Sequence, residues 1–151
     1  MRRLWLFLIF IAFALFLVVS ALLARAFSVD GAERTAVTEL VRAQARGDRS
    51  GMASRITGCN ASAECQARVA QNADALKLPG NVAILQLTPS TGFSLGGSVG
   101  SARVAWKVPS SRPIVQCVRV RRAGDVLQGI RVQLLAITSR LRSDSTCPRS
   151  L

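Results

Sequence analysis

The sequence predicts an α+β fold behind one N-terminal membrane helix, with helices packed on a curved antiparallel sheet of about four strands. Three observations lead there. An uncharged apolar run fills residues 4–24. Helical spacing governs the chain from about residue 30 to residue 77. From residue 81 the apolar period becomes two and holds to about residue 138. A run of helices followed by a run of strands is the order of an α+β domain, not of alternating βαβ units.

The apolar run comes first. At ~1.5 Å per residue, 21 helical residues cover the ~30 Å hydrocarbon core of a bilayer. Arg2 and Arg3 precede it, and Trp5 stands where interfacial aromatics collect. Positive charge at the start favours a cytoplasmic N-terminus. Past the run, Arg25 is soon followed by Asp30 and Glu33. A cleaved signal peptide is the competing reading, since Ala24, Arg25 and Ala26 form an A-x-A site. Its apolar core is usually only ~7–15 residues, which favours a retained anchor. Either way the rest of the chain is exported. The expected division is an anchor over 1–26, an extracytoplasmic α+β domain over 27–142 and a polar tail over 143–151.

Asp30, Gly31, Ala32 and Glu33 form a capping-box variant and predict a helix start at Asp30. Ala36, Val37, Leu40, Val41 and Gln44 then follow helical spacing, and Gly47 is a stop. Asp48 caps a short second helix carrying Met52 and Ile56, ending at Gly58. A third helix starts at Ser62, places Cys65, Val69, Ala73 and Leu76 on one face, and ends at "LPG" (78–80). "NVAILQLT" (81–88) reads as a strand, and "TPSTGFSLGGSVGS" (88–101) as a Gly/Ser-rich connection. In 102–108, Val104, Trp106 and Val108 alternate with Arg103, Ala105 and Lys107. In 114–122, Ile114, Gln116, Val118 and Val120 alternate with Val115, Cys117, Arg119 and Arg121. After a turn at "AGD" (123–125), Ile130, Val132, Leu134 and Ala136 alternate with Arg131, Gln133 and Leu135. Such alternation marks strands with one buried face.

Four cysteines and no histidine shape the redox reading. In an exported chain, cysteine pairs become disulfides. Cys59–Cys65 and Cys117–Cys147 are the favoured bonds among the three pairings that four cysteines allow. Zinc sites use close C-x-x-C pairs or histidines, so no metal is expected at this C-x5-C spacing. Chain entropy assigns roughly 2.4 kcal/mol to the shorter loop and roughly 3.7 kcal/mol to the longer.

Charge bounds the partners. The 125 residues after the anchor carry 17 Lys plus Arg against 8 Asp plus Glu, and arginine outnumbers lysine 18 to 2 in the whole chain. That arginine bias is partly compositional. Alternation puts Arg103, Lys107, Arg119, Arg121 and Arg131 on the sheet side away from the core. Anionic lipid or a cell-wall polymer suits such a face. Nucleic acid ranks last, because aromatics for base stacking are scarce and tyrosine is absent.

"VTELVRAQARGDRSGMASRI" (37–56) and "CVRVRRAGDVLQGIRVQLL" (117–135) carry a resemblance. The first is similar to the long opening helix, Gly-Asp break and second helix of the NTF2-like, or cystatin-like, superfamily. The second resembles its terminal hairpin, in which a charged strand turns through a glycine and returns as a long strand. The likeness covers residues 30–140 in outline and departs at Leu127, near where an aromatic is common. It implies roles such as those of single-span accessory proteins in bacterial lipid import or assembly subunits of secretion channels.

Catalysis is not expected. "GFSLG" (92–96) matches G-x-S-x-G, but that elbow needs a strand-to-helix turn and a histidine, which the chain lacks. "RGD" (46–48) is explained by a helix stop and cap, and "NAS" (60–62) is a glycosylation sequon. Enzymes of the superfamily place a carboxylate, histidine or tyrosine inside the cone between helix and sheet. Here the inward strand residues are apolar, with Gln116 the one polar exception, so no inward acid or base is in place for proton transfer. The expected function is a non-enzymatic, membrane-anchored, extracytoplasmic interaction or assembly module that binds an envelope protein and needs no cofactor. The alternative is an apolar small molecule or lipid bound in the cone, against Trp106, Val118, Val120, Ile130 and Val132.

Overall fold

The computed structural model describes residues 2–90, 98–123, 131–142 and 145–148, with only the backbone described for 2–4 and 24–29. The elements are α1 (Arg2–Arg46), α2 (Arg49–Arg55), a 3-10 turn (Cys59–Ala61), α3 (Ala63–Ala75), β1 (Ala83–Thr88), β2 (Ser98–Lys107), β3 (Ile114–Ala123) and β4 (Arg131–Ile137). The strands form one antiparallel sheet in the order β1-β2-β3-β4, and the helices cover one face of it. The α+β class read from the sequence is the class observed. Ser94, Leu127, Ile130 and the turn after Ala123 lie outside the described residues.

The helix start expected at Asp30 is corrected. α1 is a single helix of 45 residues that passes through Asp30 without interruption. Asp30 has no helix N-terminus to cap, because the residues before it are already helical and contain no proline. Gly31 in the helix interior is tolerated, and Thr35 Oγ1 donates to its carbonyl at 3.0 Å. The expected boundary between residues 26 and 27 therefore falls inside α1. Trp5–Leu23 is long and apolar enough to cross a membrane and has none of its surface buried against the domain.

α1 ends where glycine allows it. Gly47 takes φ +73°, its N–H donates to the Gln44 carbonyl at 2.8 Å, and the Asp48 N–H donates to Ala43 at 2.9 Å. This pair of bonds is a Schellman motif, which satisfies carbonyls left over at a helix end. Asp48 then caps α2, its Oδ1 accepting from Gly51 N–H at 2.7 Å. Ser62 caps α3 in the same way through Cys65 N–H, and Val69, Ala73 and Leu76 are buried.

The core lies between the inner face of α1 and the inner face of the sheet. Val37, Leu40 and Val41 pack there with Met52, Val69, Val104, Trp106, Val118 and Val120. β2 begins at Ser98, four residues before its expected start, and pairs with β3 over its length. β4 departs from simple alternation. Its register shifts opposite Arg119 and Val120, so Leu134 and Ile137 are buried and Ala136 is not. One extra residue in a strand reverses its faces beyond that point, which is why Ala136, expected inside, faces out.

β3 is buried on both faces over Ile114, Val115, Gln116, Cys117 and Val118. After β4 the chain stays beside β3, where Leu141 N–H donates to Val115 at 2.8 Å and Thr138 N–H donates to Cys117 at 2.9 Å. Cys147 then bonds Cys117 across a Cα separation of 5.7 Å. The second disulfide joins Cys59 and Cys65, whose Cα atoms are 5.2 Å apart. Both pairings are those favoured from the sequence, and the free edge of β4 is tied to the end of α2 by Thr57 N–H donating to Leu134 at 2.7 Å.

Candidate functional site

Two buried polar clusters fix the sheet against α1. The first is neutral. Gln44 on α1 and Gln116 on β3 exchange amide hydrogen bonds, with Gln44 Nε2 donating at 2.8 Å and Gln116 Nε2 at 3.2 Å. Trp106 Nε1 donates to Gln116 Oε1 at 3.0 Å, and Gln116 Nε2 donates to the Thr138 carbonyl at 2.9 Å. Asn72 on α3 donates to that same carbonyl at 2.9 Å. Five segments meet in this network: α1, α3, β2, β3 and the chain after β4.

The second cluster is charged. Glu33 on α1 is fully buried. Its Oε2 accepts from Arg122 Nε at 2.9 Å and Arg122 Nη2 at 2.7 Å, and from Ser90 Oγ at 3.0 Å. Its Oε1 accepts from Ser90 N–H at 2.7 Å. Arg122 Nη2 also donates to Asp30 Oδ1 at 2.7 Å. Burial pulls the Arg122 guanidinium pKa down, but hydrogen bonding and charge from Glu33, with Asp30 behind it, outweigh burial and hold it above its ordinary value. Gly100 makes room for this arrangement, since a Cβ there would come within 2.8 Å of Ser90 Cβ.

The two clusters also set direction. Glu33 meets Arg122, and Gln44, eleven residues along α1, meets Gln116, six residues back along β3. Those steps are ~16 Å of helix and ~20 Å of strand. β3 therefore runs alongside α1 in the opposite sense, with Arg122 at the end nearest Trp5–Leu23.

The outer face of the sheet carries the predicted cations. Arg103 opposes Cys117, Arg119 opposes Ser101, and Arg121 sits between Val99 and Gln133. Opposed residues share a face and alternate positions along a strand do too, so Arg103, Lys107, Arg119, Arg121 and Arg131 all lie on the face away from α1. The four strands contain no Asp or Glu. Among the described residues, Asp30 and Glu33 hold Arg122, Glu39 pairs with Arg42 and Arg55, and Asp74 pairs with Arg49. The outward positions of the four described strands therefore carry basic and no acidic side chains. Lys107, Arg121 and Arg131 are exposed, while Arg103 and Arg119 are half-buried. The tail reaches this face at Cys117.

The residues named for an apolar ligand are differently placed. Trp106, Val118 and Val120 are fully buried in the core, and Val132 is half-buried against it. An open groove of about 690 Å³ lies elsewhere, between α3 and the chain around β4, lined by Ile56, Arg68, Val69, Ile137 and Leu141 among others. Among the described residues no cluster of three or more His, Cys, Asp or Glu could hold a metal ion.

Sequence reasoning missed the Glu33–Arg122 clamp. Glu33 precedes Val37, Leu40 and Gln44 at helical spacing, and Arg122 follows Gln116, Val118 and Val120 at strand spacing. Both stood on inward positions, but the capping-box reading assigned Glu33 a different role. Comparisons with protein families, with curated proteins and with solved structures find no match for this chain.

Proposed function

We propose that the protein is a non-enzymatic, membrane-anchored interaction module of a bacterial envelope complex, with its N-terminus in the cytoplasm and its α+β domain outside. The observation that carries the reading is α1: one helix is both the apolar span and the element on which the domain core is built. A helix locked to the sheet at two levels holds the domain at a set distance and orientation from the bilayer. Two disulfides in so small a domain support an oxidising compartment. A four-stranded antiparallel meander under a long helix supports the resemblance to the NTF2-like superfamily.

The polar interior supports the non-enzymatic part. Gln44, Gln116, Asn72, Trp106, Glu33 and Arg122 spend their hydrogen bonds on one another or on the backbone. A catalytic cone needs a polar group aimed at a substrate, and here those groups are aimed at each other.

Crosslinking the full chain in its native membranes, followed by identification of what is joined to it, tests the reading. The expected product is a defined envelope protein crosslinked through the extracytoplasmic domain. Recovery of the chain as an uncrosslinked species holding a stoichiometric apolar ligand would replace this reading with ligand binding.

A further inference from the structure

We propose that the membrane-near end of the outer sheet face, built from Arg121 and Arg131 around Val99, rests on the anionic lipid headgroups of the bilayer that holds α1. This rests on the reading of Trp5–Leu23 as a retained span and names a partner for the domain it carries.

Height comes from the helix. Glu33 lies ten residues beyond Leu23, or ~15 Å along α1. Headgroups occupy about 5–8 Å of that distance on each side of a bilayer. Arg122 is bound to Glu33, and Arg121 is its neighbour in β3. Arg131 opposes Ala123 and so lies two residues closer still to the membrane than the Arg121–Gln133 pair. These two exposed guanidinium groups thus stand within about one Debye length, ~8–10 Å, of the headgroups. Basic residues at that range are attracted to anionic lipid.

The rest of the face is graded away from the bilayer. Arg103 and Lys107 lie four and eight residues along β2 from Val99, which places them ~13 Å and ~26 Å farther out. Both are beyond the screening distance. The five cations of the face are therefore unequal, and the membrane-near ones carry the contact.

Val99 favours lipid over a soluble polyanion. It is 47% exposed, opposes Arg121 and shares the face with it. An exposed apolar side chain beside arginines suits the boundary of headgroups and acyl chains, whereas a hydrated polymer gains nothing from it. The Glu33–Arg122 clamp fixes the tilt of this end, because it joins the strand that bears Arg121 directly to the anchor helix.

The test uses the full chain, isotope-labelled, in lipid nanodiscs that contain a trace of gadolinium-headgroup lipid. Amide relaxation near residues 99, 119–123 and 131 reports proximity to the headgroups. The expected result is a severalfold larger enhancement in discs containing phosphatidylglycerol than in pure phosphatidylcholine discs, abolished by high salt. Arg121→Gln with Arg131→Gln removes the difference, while Arg103→Gln with Lys107→Gln leaves it intact. Equal enhancement in both lipids, or equal loss from both variant pairs, overturns the proposal and leaves the anchor reading standing. A response of these amides to soluble polyanionic wall polymer, with none to anionic lipid, overturns it in favour of the polymer. Failure of the unmodified chain to remain with the discs in high salt overturns the anchor reading and the proposal together.

Discussion

The two buried polar clusters do similar jobs by different chemistry. Far from the apolar stretch Trp5–Leu23, Gln44, Gln116, Trp106, Asn72 and the Thr138 carbonyl match donors to acceptors with no net charge. Near the apolar stretch Trp5–Leu23, Glu33 and Arg122 do it with an ion pair whose carboxylate is buried and whose guanidinium is partly exposed, and Asp30 and Ser90 complete it. A neutral network costs little to bury once every member is paired. A buried ion pair must recover a large desolvation cost, so it adds little net stability while making the loss of either partner expensive. The difference assigns the clusters different tasks. The glutamine network knits the fold, and the charged clamp makes any other docking of β3 on α1 costly, since that would leave the buried Glu33 carboxylate without Arg122.

The largest expected effect comes from breaking the charged cluster on one side. Arg122→Leu leaves the buried Glu33 carboxylate with Ser90 as its remaining partner and should cost about 3–5 kcal/mol. Denaturant unfolding of the full chain in detergent measures this. Adding Glu33→Leu to it should recover most of the loss, since a matched apolar pair replaces the ions. A double variant no more stable than the single one would show that the two residues do not act as a pair.

Breaking the neutral cluster should do less. Gln44→Leu removes both bonds to the Gln116 amide, but Gln116 Oε1 keeps the Trp106 indole N–H and Gln116 Nε2 keeps the Thr138 carbonyl, so the loss should be about 0.5–1.5 kcal/mol for each bond removed. The same unfolding experiment should show the smaller shift.

The smallest effect is that of pH. The folded-state pKa of Arg122 is raised, so its contribution is fully present below the unfolded-state value and fades only as pH rises through the folded one, in strong alkali. The chain has no histidine and its four cysteines are bonded. The unfolding midpoint should therefore stay level from about pH 6 to about pH 9. A midpoint that falls on crossing neutrality would contradict this account of the clamp.

Most of the fold was legible because its signals are local. Gly47 and Asp48 stop one helix and start the next, Ser62 caps α3, and a period of two marks each strand. Cysteine pairing was legible from spacing and from the expectation of export. The exceptions are long-range. Asp30 carried a cap signature, yet the apolar helix before it continued through, because a cap acts only where a helix begins. Alternation in β4 was right up to Leu134 and reversed beyond it, because a one-residue bulge is set by pairing with β3 and leaves no mark in β4 itself. Gln44 and Gln116 were each placed inward from periodicity, but only the packing of α1 on β3 revealed that they bond each other. Glu33 and Arg122, 89 positions apart, became partners in the same way. The outer-face cations could be assigned to one side of the sheet, while their distance from Trp5–Leu23 required the direction of β3 along α1.

The central claim is that one unbroken helix anchors a disulfide-bonded domain on the far side of a membrane. Intact mass of the protein extracted from its native membranes, after thiol alkylation without reduction, tests it most directly. The account predicts the mass of the chain with residues 1–26 retained and no cysteine alkylated. A chain beginning at Phe27, or one with alkylated cysteines, would contradict it.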